Sequence, residues 1–165
     1  MEIKFRERGI VEINDARIVF RNFSGRGDKF NREGDRNFAV VIPNMEIADA
    51  LTNDTNEYGV GWNVKVRDGR DDGDEPFIYL PVKMKFNSRG PAVYLKTGTR
   101  MNRLDEEAVS MLDDIDISNV DMDIRPYDDV INGKPFRTAY LVSICITQNI
   151  DRFAARYAEE EYPEE

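Results

Sequence analysis

Short segments in which apolar and polar side chains alternate recur along this chain, and they constrain its fold more than any other feature. In residues 77–86, FIYLPVKMKF, every second side chain from Ile78 to Phe86 is apolar, whereas Lys83 and Lys85 lie between them. A period of two residues is the spacing of a β-strand with one buried face. The same pattern predicts strands over residues 16–23, 60–67, 77–86, 92–97, 117–124 and 137–147, and an apolar run that ends at Pro43 predicts another over residues 36–42.

Helical patterns are few and short. Asn44 is a favourable N-cap for a helix over residues 45–51, and acidic residues begin a second helix over residues 104–112. A third helix is predicted over residues 151–161. Six to eight strands with two or three short helices indicate a mainly β fold, and their spacing suits a small barrel or a sandwich. We expect one domain over residues 1–150, followed by a C-terminal helix and acidic tail over residues 151–165.

The composition excludes several classes of function. The 165 residues include no histidine, which removes the commonest metal ligand and the commonest general base. Cys145 is the only cysteine, so a disulfide framework is excluded, and its apolar neighbours indicate a buried side chain. No apolar run reaches the roughly 18 residues of a membrane span, and the N-terminus lacks a secretory signal. We therefore expect a cytoplasmic protein that uses no cofactor and no metal and contacts no membrane.

The charges are segregated along the chain. The net charge is −9, yet residues 83–103 contain six cations and no acid, and residues 17–36 contain six cations against three acids. Residues 151–165, by contrast, contain six acids and two arginines and end in AEEEYPEE. An acidic total charge argues against nucleic-acid binding only when charge is evenly spread. The basic blocks therefore keep a nucleic-acid partner open.

Several predicted strands place cations and rings on the face opposite the apolar one. Along residues 16–23, Ile18 and Phe20 would face the core, and Phe23 would lie on the outer face beside arginines. Trp62 shares its side of the strand with valines and is interpreted as core. Cations release counterions from phosphates, and exposed rings stack on unpaired bases. A sheet with this outer face would suit single-stranded nucleic acid.

The stretch RNFSGRGDKFNREGDRNF, residues 21–38, adds a cationic loop to this face. Its glycines, Gly25, Gly27 and Gly34, allow a close backbone approach, so the loop could close over a bound strand. Together, the basic faces and this loop supply the candidate DNA-binding residues: Arg17, Arg21, Phe23, Arg26, Lys29, Phe30, Arg32, Arg36, Lys65, Arg67, Phe77, Tyr79, Lys83, Lys85, Arg89, Tyr94, Lys96 and Arg100.

Three other interpretations stay open. Basic outer faces are often ordinary solvated surface, and lysines there also prevent edge-to-edge aggregation. Asp121 and Asp123 share one strand face and could hold Mg²⁺ in a nuclease, although no EF-hand spacing is present. The chain could also be an adaptor or structural protein that binds only protein.

In order along the chain, RNF-x-G…KFN-x-x-G-x-RNF, GWNVK, YLPVKMKF, LDEEAVSMLD, NVDMDIRPYD, RTAYLVSICIT and AEEEYPEE resemble a family of single-stranded DNA-binding proteins of tailed phages. The resemblance extends from about Arg21 to Glu165. It implies an OB-fold-like small β-barrel that is not an enzyme. Such a protein would coat single-stranded DNA without sequence preference during phage DNA replication and recombination, in the cytoplasm of the bacterial host.

The acidic charge of residues 151–165, together with the resemblance, suggests roles for the tail. It could fold onto the basic groove and compete with DNA, or bind phage or host replication proteins, as in T7-type phage proteins. The tail departs from the T7-type pattern because three residues follow its last aromatic residue. Whether the protein forms a homo-oligomer stays open. The tail residues concerned are Glu159, Glu160, Glu161, Tyr162, Glu164 and Glu165.

Overall fold

The two longest strands, β9 (Ile117–Ile131) and β10 (Lys134–Gln148), form an antiparallel hairpin around which the other strands assemble. The computed structural model describes residues 1–71 and 73–150. Its other strands are β1 (Glu2–Phe5), β2 (Val11–Ala16), β3 (Ile18–Asn22), β4 (Arg36–Val41), β5 (Lys65–Arg67), β6 (Phe77–Met84), β7 (Ala92–Thr97) and β8 (Arg100–Leu104). One α-helix, α1 (Met45–Thr52), and two 3₁₀ helices, Glu7–Gly9 and Ala108–Asp113, complete the elements.

All ten described strands belong to one sheet. The main path runs β1-β2-β9-β10-β6-β4-β3, while β5 pairs with β6, β7 with β10, and β8 with β7. β10 is central, because its first half pairs with β6 and its second half with β7, both in parallel. The mainly β prediction is confirmed. In the described residues the path does not return from β3 to β1, so the sheet is not closed into a barrel.

The core lies where the alternation predicted it on several strands. Ile78, Leu80, Val82 and Met84 of β6 are all buried, and Trp62 is 2 % exposed. α1 also begins as predicted, since the Oδ1 atom of Asn44 accepts a hydrogen bond from the backbone N–H of Ile47 at 2.9 Å. Among the residues that the structure describes, no helix is long and apolar enough to span a membrane.

Other element boundaries differ from the prediction. Only Lys65–Arg67 of the predicted strand 60–67 pairs, and the predicted helix 104–112 is instead the end of β8 followed by the 3₁₀ helix Ala108–Asp113. The predicted strand 16–23 divides between β2 and β3. The predicted helix 151–161 and the acidic tail lie outside the described residues, and the division of the chain at residue 150 stays a prediction.

Phe20 and Phe23, in and just after β3, lie on the opposite faces of the sheet from those predicted. Phe20 is 54 % exposed, whereas Phe23 is fully buried and stacks on Phe38 with the ring centroids 5.3 Å apart. Phe20 adopts a φ of 53°, and the β3–β4 register shifts between Val19 and Asn22. A residue in the left-handed region at a bulge interrupts the alternation of side chains. The predictions that Phe20 is core and that Phe23 is an exposed DNA-binding ring are therefore wrong.

We expect the substitution Phe23→Ala to lower the free energy of unfolding by about 3–5 kcal/mol, because it leaves a cavity against Phe38. Urea denaturation of the purified protein measures this change. Phe30→Ala is the matched control, since Phe30 is 93 % exposed and its loss should change the free energy by no more than about 0.5 kcal/mol. Equal, small effects at both positions would contradict the buried placement of Phe23.

Candidate functional site

An open groove of about 690 Å³ crosses the outer face of β4 and β6. One wall is formed by part of the loop between β3 and β4, residues 24–35, which we call the glycine loop. Phe20, Phe86 and Tyr140 also line the groove. The floor is formed by the side chains of β6 that point away from the core, among them Tyr79 and Lys83. The groove therefore lies on the face predicted to hold cations and rings.

Three rings meet at one end of the groove, and we call them the aromatic cluster: Phe20, Phe77 and Tyr79. The ring centroids of Phe20 lie 6.1 Å from Phe77 and 5.5 Å from Tyr79, both edge to face. The guanidinium of Arg67 lies 5.6 Å from the Phe20 ring and 5.5 Å from the Tyr79 ring. Because Phe20 is more than half exposed, the cluster offers ring surface to a ligand beside the positive charge of Arg67.

A second group of rings lies where β6 meets the β9–β10 hairpin. Tyr140 pairs with Lys83, and its ring lies 4.9 Å from the Arg125 guanidinium and 5.9 Å from the Tyr127 ring. The nearby carboxylate of Asp129, which accepts a hydrogen bond from the Tyr127 hydroxyl, raises the pKa of that hydroxyl. Tyr127 therefore stays neutral at physiological pH. We call Tyr127 and Tyr140 the tyrosine pair.

The two ring groups are joined by β6. Tyr79 and Lys83 are four residues apart on the same face, which at about 3.3 Å per residue places them about 13 Å apart along the strand. Lys83 and Lys85 are exposed, and neither forms an ion pair within 4.0 Å among the described residues. This face of the sheet thus combines the aromatic cluster, the tyrosine pair beside Lys83, and two cations without acidic partners among the described residues.

Two of the arginines predicted to bind DNA form hydrogen bonds to other groups of the protein. Arg21 donates through one nitrogen to the carbonyls of Leu112 and Ile115, at 2.8 and 2.7 Å. Arg36 donates to the carbonyl of Phe23 at 2.9 Å and to the carboxylate of Glu106 at 3.0 Å, although it also lines the groove. The prediction that Arg21 lies free on the binding face is therefore wrong, since its guanidinium holds the end of a 3₁₀ helix.

Hydrogen bonds from neighbouring residues hold the glycine loop in one shape. Asp113 accepts from the backbone N–H groups of Phe23 and Ser24, at 2.7 and 3.1 Å. Within the loop, the side chain of Asn31 donates to the carbonyl of Arg26 at 2.7 Å. Phe30 projects from this frame with 93 % of its surface exposed. The loop is therefore preorganised. It holds the Phe30 ring at the rim of the groove, so that ligand binding costs little further conformational entropy.

The predicted residues fall into two sets. Those in the groove or beside the aromatic cluster are Phe30, Arg32, Arg36, Lys65, Arg67, Phe77, Tyr79, Lys83 and Lys85. Those that do not line the groove are Arg17, Arg21, Phe23, Arg26, Lys29, Arg89, Tyr94, Lys96 and Arg100. Tyr94 and Lys96 are separated from it because β7 pairs with the far half of β10.

The sequence interpretation missed four groove-side residues: Phe20, Arg125, Tyr127 and Tyr140. Phe20 was assigned to the core, Tyr140 lies in a segment interpreted only as a strand, and Arg125 and Tyr127 lie just beyond the predicted strand 117–124. The available signal was the alternation in residues 137–147, RTAYLVSICIT, which places Tyr140 opposite the buried Leu141. Arg125 and Tyr127 then follow from the β9–β10 pairing, which sequence alone did not provide.

The two strand aspartates considered for a metal have local partners. Asp121 accepts hydrogen bonds from the backbone of Asp15 at 2.9 Å and from the side chain of Asn119 at 3.2 Å. Asp123 accepts from the hydroxyl of Ser143 at 3.3 Å. Within residues 1–71 and 73–150, no group of three or more acidic or cysteine side chains has the spacing of a metal site. In this structure these aspartates support the β2–β9–β10 region.

Comparison with known proteins assigns this chain to a family and finds solved structures with a similar fold. A family model described as a putative phage ssDNA-binding domain matches residues 2–165. A single-stranded DNA-binding protein from bacteriophage Enc34, solved in complex with ssDNA, matches with a TM-score of 0.56 at 17% identity, over 92% of this chain and 93% of that one. A C-terminal truncation of that protein matches with a TM-score of 0.52 at 16% identity, over 90% and 91% of the two chains. No curated protein sequence matches this chain.

Proposed function

Because the chain belongs to the family of putative phage ssDNA-binding domains, we propose that it binds single-stranded DNA along the groove between the aromatic cluster and the tyrosine pair. It does so without base-specific hydrogen bonding and without covalent chemistry. Its role is to coat and protect single strands during phage DNA replication and recombination in the cytoplasm of the bacterial host. Its acidic tail binds phage or host replication proteins.

The observation on which this proposal rests is the combination of groups on one face of the sheet. The exposed ring of Phe20 and the half-buried rings of Phe77 and Tyr79 lie at one end of the groove, and the tyrosine pair lies beside Lys83. Lys83 and Lys85 are exposed on the same face and have no acidic partner among the described residues. Rings of this kind stack on unpaired bases, which duplex DNA does not offer, and lysines neutralise the intervening phosphates. This combination favours a single strand over a duplex.

The fold is consistent with this function. OB-fold proteins bind oligonucleotides on the outer face of a strongly curved sheet, between flanking loops. Here the groove lies on the outer face of β4 and β6, beside the glycine loop, and the sheet resembles in fold the Enc34 protein. We propose that the chain is an open relative of the OB fold, in which β10 pairs with both β6 and β7.

Fluorescence anisotropy of labelled oligo-dT at several salt concentrations tests the function. We expect tight binding at low salt that weakens with a log–log slope of about 0.7 per phosphate contacted. The variant Lys83→Glu/Lys85→Glu should bind weakly and reduce the slope, whereas Lys4→Glu/Lys134→Glu, with the same change in charge, should retain most of the affinity. Lys4 and Lys134 lie on β1 and at the start of β10 and do not line the groove.

Three results would overturn the proposal. If the unmodified protein fails to bind oligo-dT at low salt, the basic faces are ordinary surface and the adaptor alternative is favoured. If the DNA is cleaved in the presence of Mg²⁺, the nuclease alternative replaces a purely binding function. Equal losses in the two double variants would show that the overall charge, and not the groove, accounts for binding.

A further inference from the structure

A second basic surface lies away from the groove, on the hairpin formed by β7 and β8. Lys96, Arg100 and Arg103 are exposed there, and residues 92–104 contain no acid. Within the part of the chain that the structure describes, none of the three cations forms an ion pair within 4.0 Å. We call residues 92–104 the basic hairpin. No acidic side chain among the described residues neutralises these charges by an ion pair.

Cross-strand pairing on the basic hairpin creates a mixed surface of charge and apolar groups. Tyr94 lies opposite Arg103, and Lys96 lies opposite Met101, so these four side chains share one face. Tyr94 is half-buried, and Met101 is 57 % exposed. Two cations next to a ring and a thioether match a peptide that combines carboxylates with aromatic residues.

The described chain ends at this same hairpin. The Thr97 hydroxyl donates to the side-chain oxygen of Gln148 at 3.1 Å, close to the end of β10. Two residues later, the Cδ1 atom of Ile150 lies 3.9 Å from the position that a Cβ atom on Gly98 would occupy. The segment that follows Ile150 therefore starts beside the turn of the basic hairpin.

We propose that the C-terminal segment of the same chain, residues 151–165, docks on the basic hairpin. The segment contains six acids against two arginines, together with Phe153, Tyr157 and Tyr162. Glu159 is nine positions after Ile150, and nine residues span at most about 32 Å when extended. A strand of six residues is only about 20 Å long. The acidic run therefore reaches every cation of the hairpin without crossing the sheet to the groove.

This docking site separates the tail from the DNA groove. An acidic tail that lay in the groove would need to be displaced by each bound strand. A tail held on the basic hairpin leaves Lys83 and Lys85 free, and it keeps the tail carboxylates paired until another basic protein surface competes for them. Docking on the basic hairpin therefore controls when a partner protein can bind the tail. This proposal does not depend on the DNA-binding proposal.

Zero-length carbodiimide cross-linking of the full-length protein at low salt, followed by peptide mass spectrometry, tests the docking site. This reagent joins a carboxylate to a lysine amine only when the two are in contact. We expect the glutamates of residues 159–165 to link to Lys96 within the monomer band. In Arg100→Glu/Arg103→Glu the yield should fall at least fivefold, whereas the control Lys134→Glu should leave it unchanged.

Three outcomes would overturn the proposal. Predominant links from the tail to Lys83 or Lys85 would place the tail in the groove. Links to Lys96 confined to the dimer band would assign the hairpin to the tail of a second copy. The absence of any tail link to Lys96 at low salt would show that the hairpin does not bind the tail.

Discussion

Phe20→Ala should weaken the binding of oligo-dT by about 5- to 150-fold, which corresponds to about 1–3 kcal/mol for one lost stacking partner. Phe20 contributes the most exposed ring of the aromatic cluster, and Arg67 lies against it. The substitution removes a base-stacking surface and leaves the charge of the groove intact. The salt slope should therefore stay unchanged while the affinity falls, as measured by anisotropy at several salt concentrations.

Two further variants separate stacking from other effects. Phe20→Tyr keeps a ring in place and should bind almost as tightly as the unmodified protein. Phe5→Ala removes a ring of similar exposure, 48 %, from β1, at the opposite end of the strand order. It should leave the affinity unchanged. If Phe5→Ala weakened binding as much as Phe20→Ala, the groove would not be the binding surface.

The double variant Phe20→Ala/Tyr140→Ala extends this test to both ends of the groove. Phe20 contacts Phe77, Tyr79 and Arg67, whereas Tyr140 contacts Tyr127 and Arg125, so the two rings share no ring or cation partner. Energies of substitutions without shared partners add. We expect a total loss of about 2–6 kcal/mol for a long oligonucleotide. An effect of Tyr140→Ala below twofold would restrict stacking to the aromatic cluster.

The parts of the fold that sequence predicted are those in which one local rule decides the outcome. Alternation over residues 77–86 placed the buried side chains of β6, and Asn44 identified the start of α1. The same rule failed at Phe20 and Phe23, because a single residue with positive φ reverses the alternation. Phe20 is neither glycine nor asparagine, so nothing in the sequence marks that conformation.

The sequence predicted the kind of surface, a strand face with cations and rings. It predicted fewer of the individual residues that form it. The cation-rich strand faces placed Arg67, Lys83 and Lys85 on the exposed side of the sheet, where the structure has them, and their contact with DNA stays a prediction. Sequence could not show that Arg21 is bonded to carbonyls about ninety positions away, or that Tyr140 lies beside Lys83. Both facts depend on strand order. Since β10 pairs in parallel with two strands that precede it, its neighbours cannot be read from adjacent segments.

Arg137, the one buried charged residue in the described chain, is expected to make the largest single contribution to the stability of the β9–β10 hairpin. It donates to both carboxylate oxygens of Asp128, at 2.8 and 3.2 Å, and to the carbonyl of Asp54 at 2.6 Å. Its guanidinium also lies 5.0 Å from the ring of Trp62. These contacts attach the hairpin to the segment that follows α1.

Arg137→Met should lower the free energy of unfolding by about 3 kcal/mol, because it removes one partner of a largely buried ion pair and leaves a carbonyl unpaired. Arg137→Lys should recover only part of this loss, since one ammonium cannot donate in the same geometry to both oxygens of Asp128 and to Asp54. Arg125→Met is the control, an exposed cation on the same hairpin whose loss should cost less than about 1 kcal/mol. Urea unfolding at pH 7 compares the three.

The pH dependence gives this prediction a second readout. Hydrogen bonds from Arg137 lower the pKa of Asp128 below its usual value. A carboxylate whose pKa is lower in the folded state adds stability that is fully present above the pKa of the unfolded chain, about 3.9, and is lost as the pH falls through the folded pKa. The difference in stability between the unmodified protein and Asp128→Asn should therefore be constant from pH 7 to about pH 5 and shrink below pH 4. A difference that grew on acidification would show that Arg137 and Asp128 are not paired in solution.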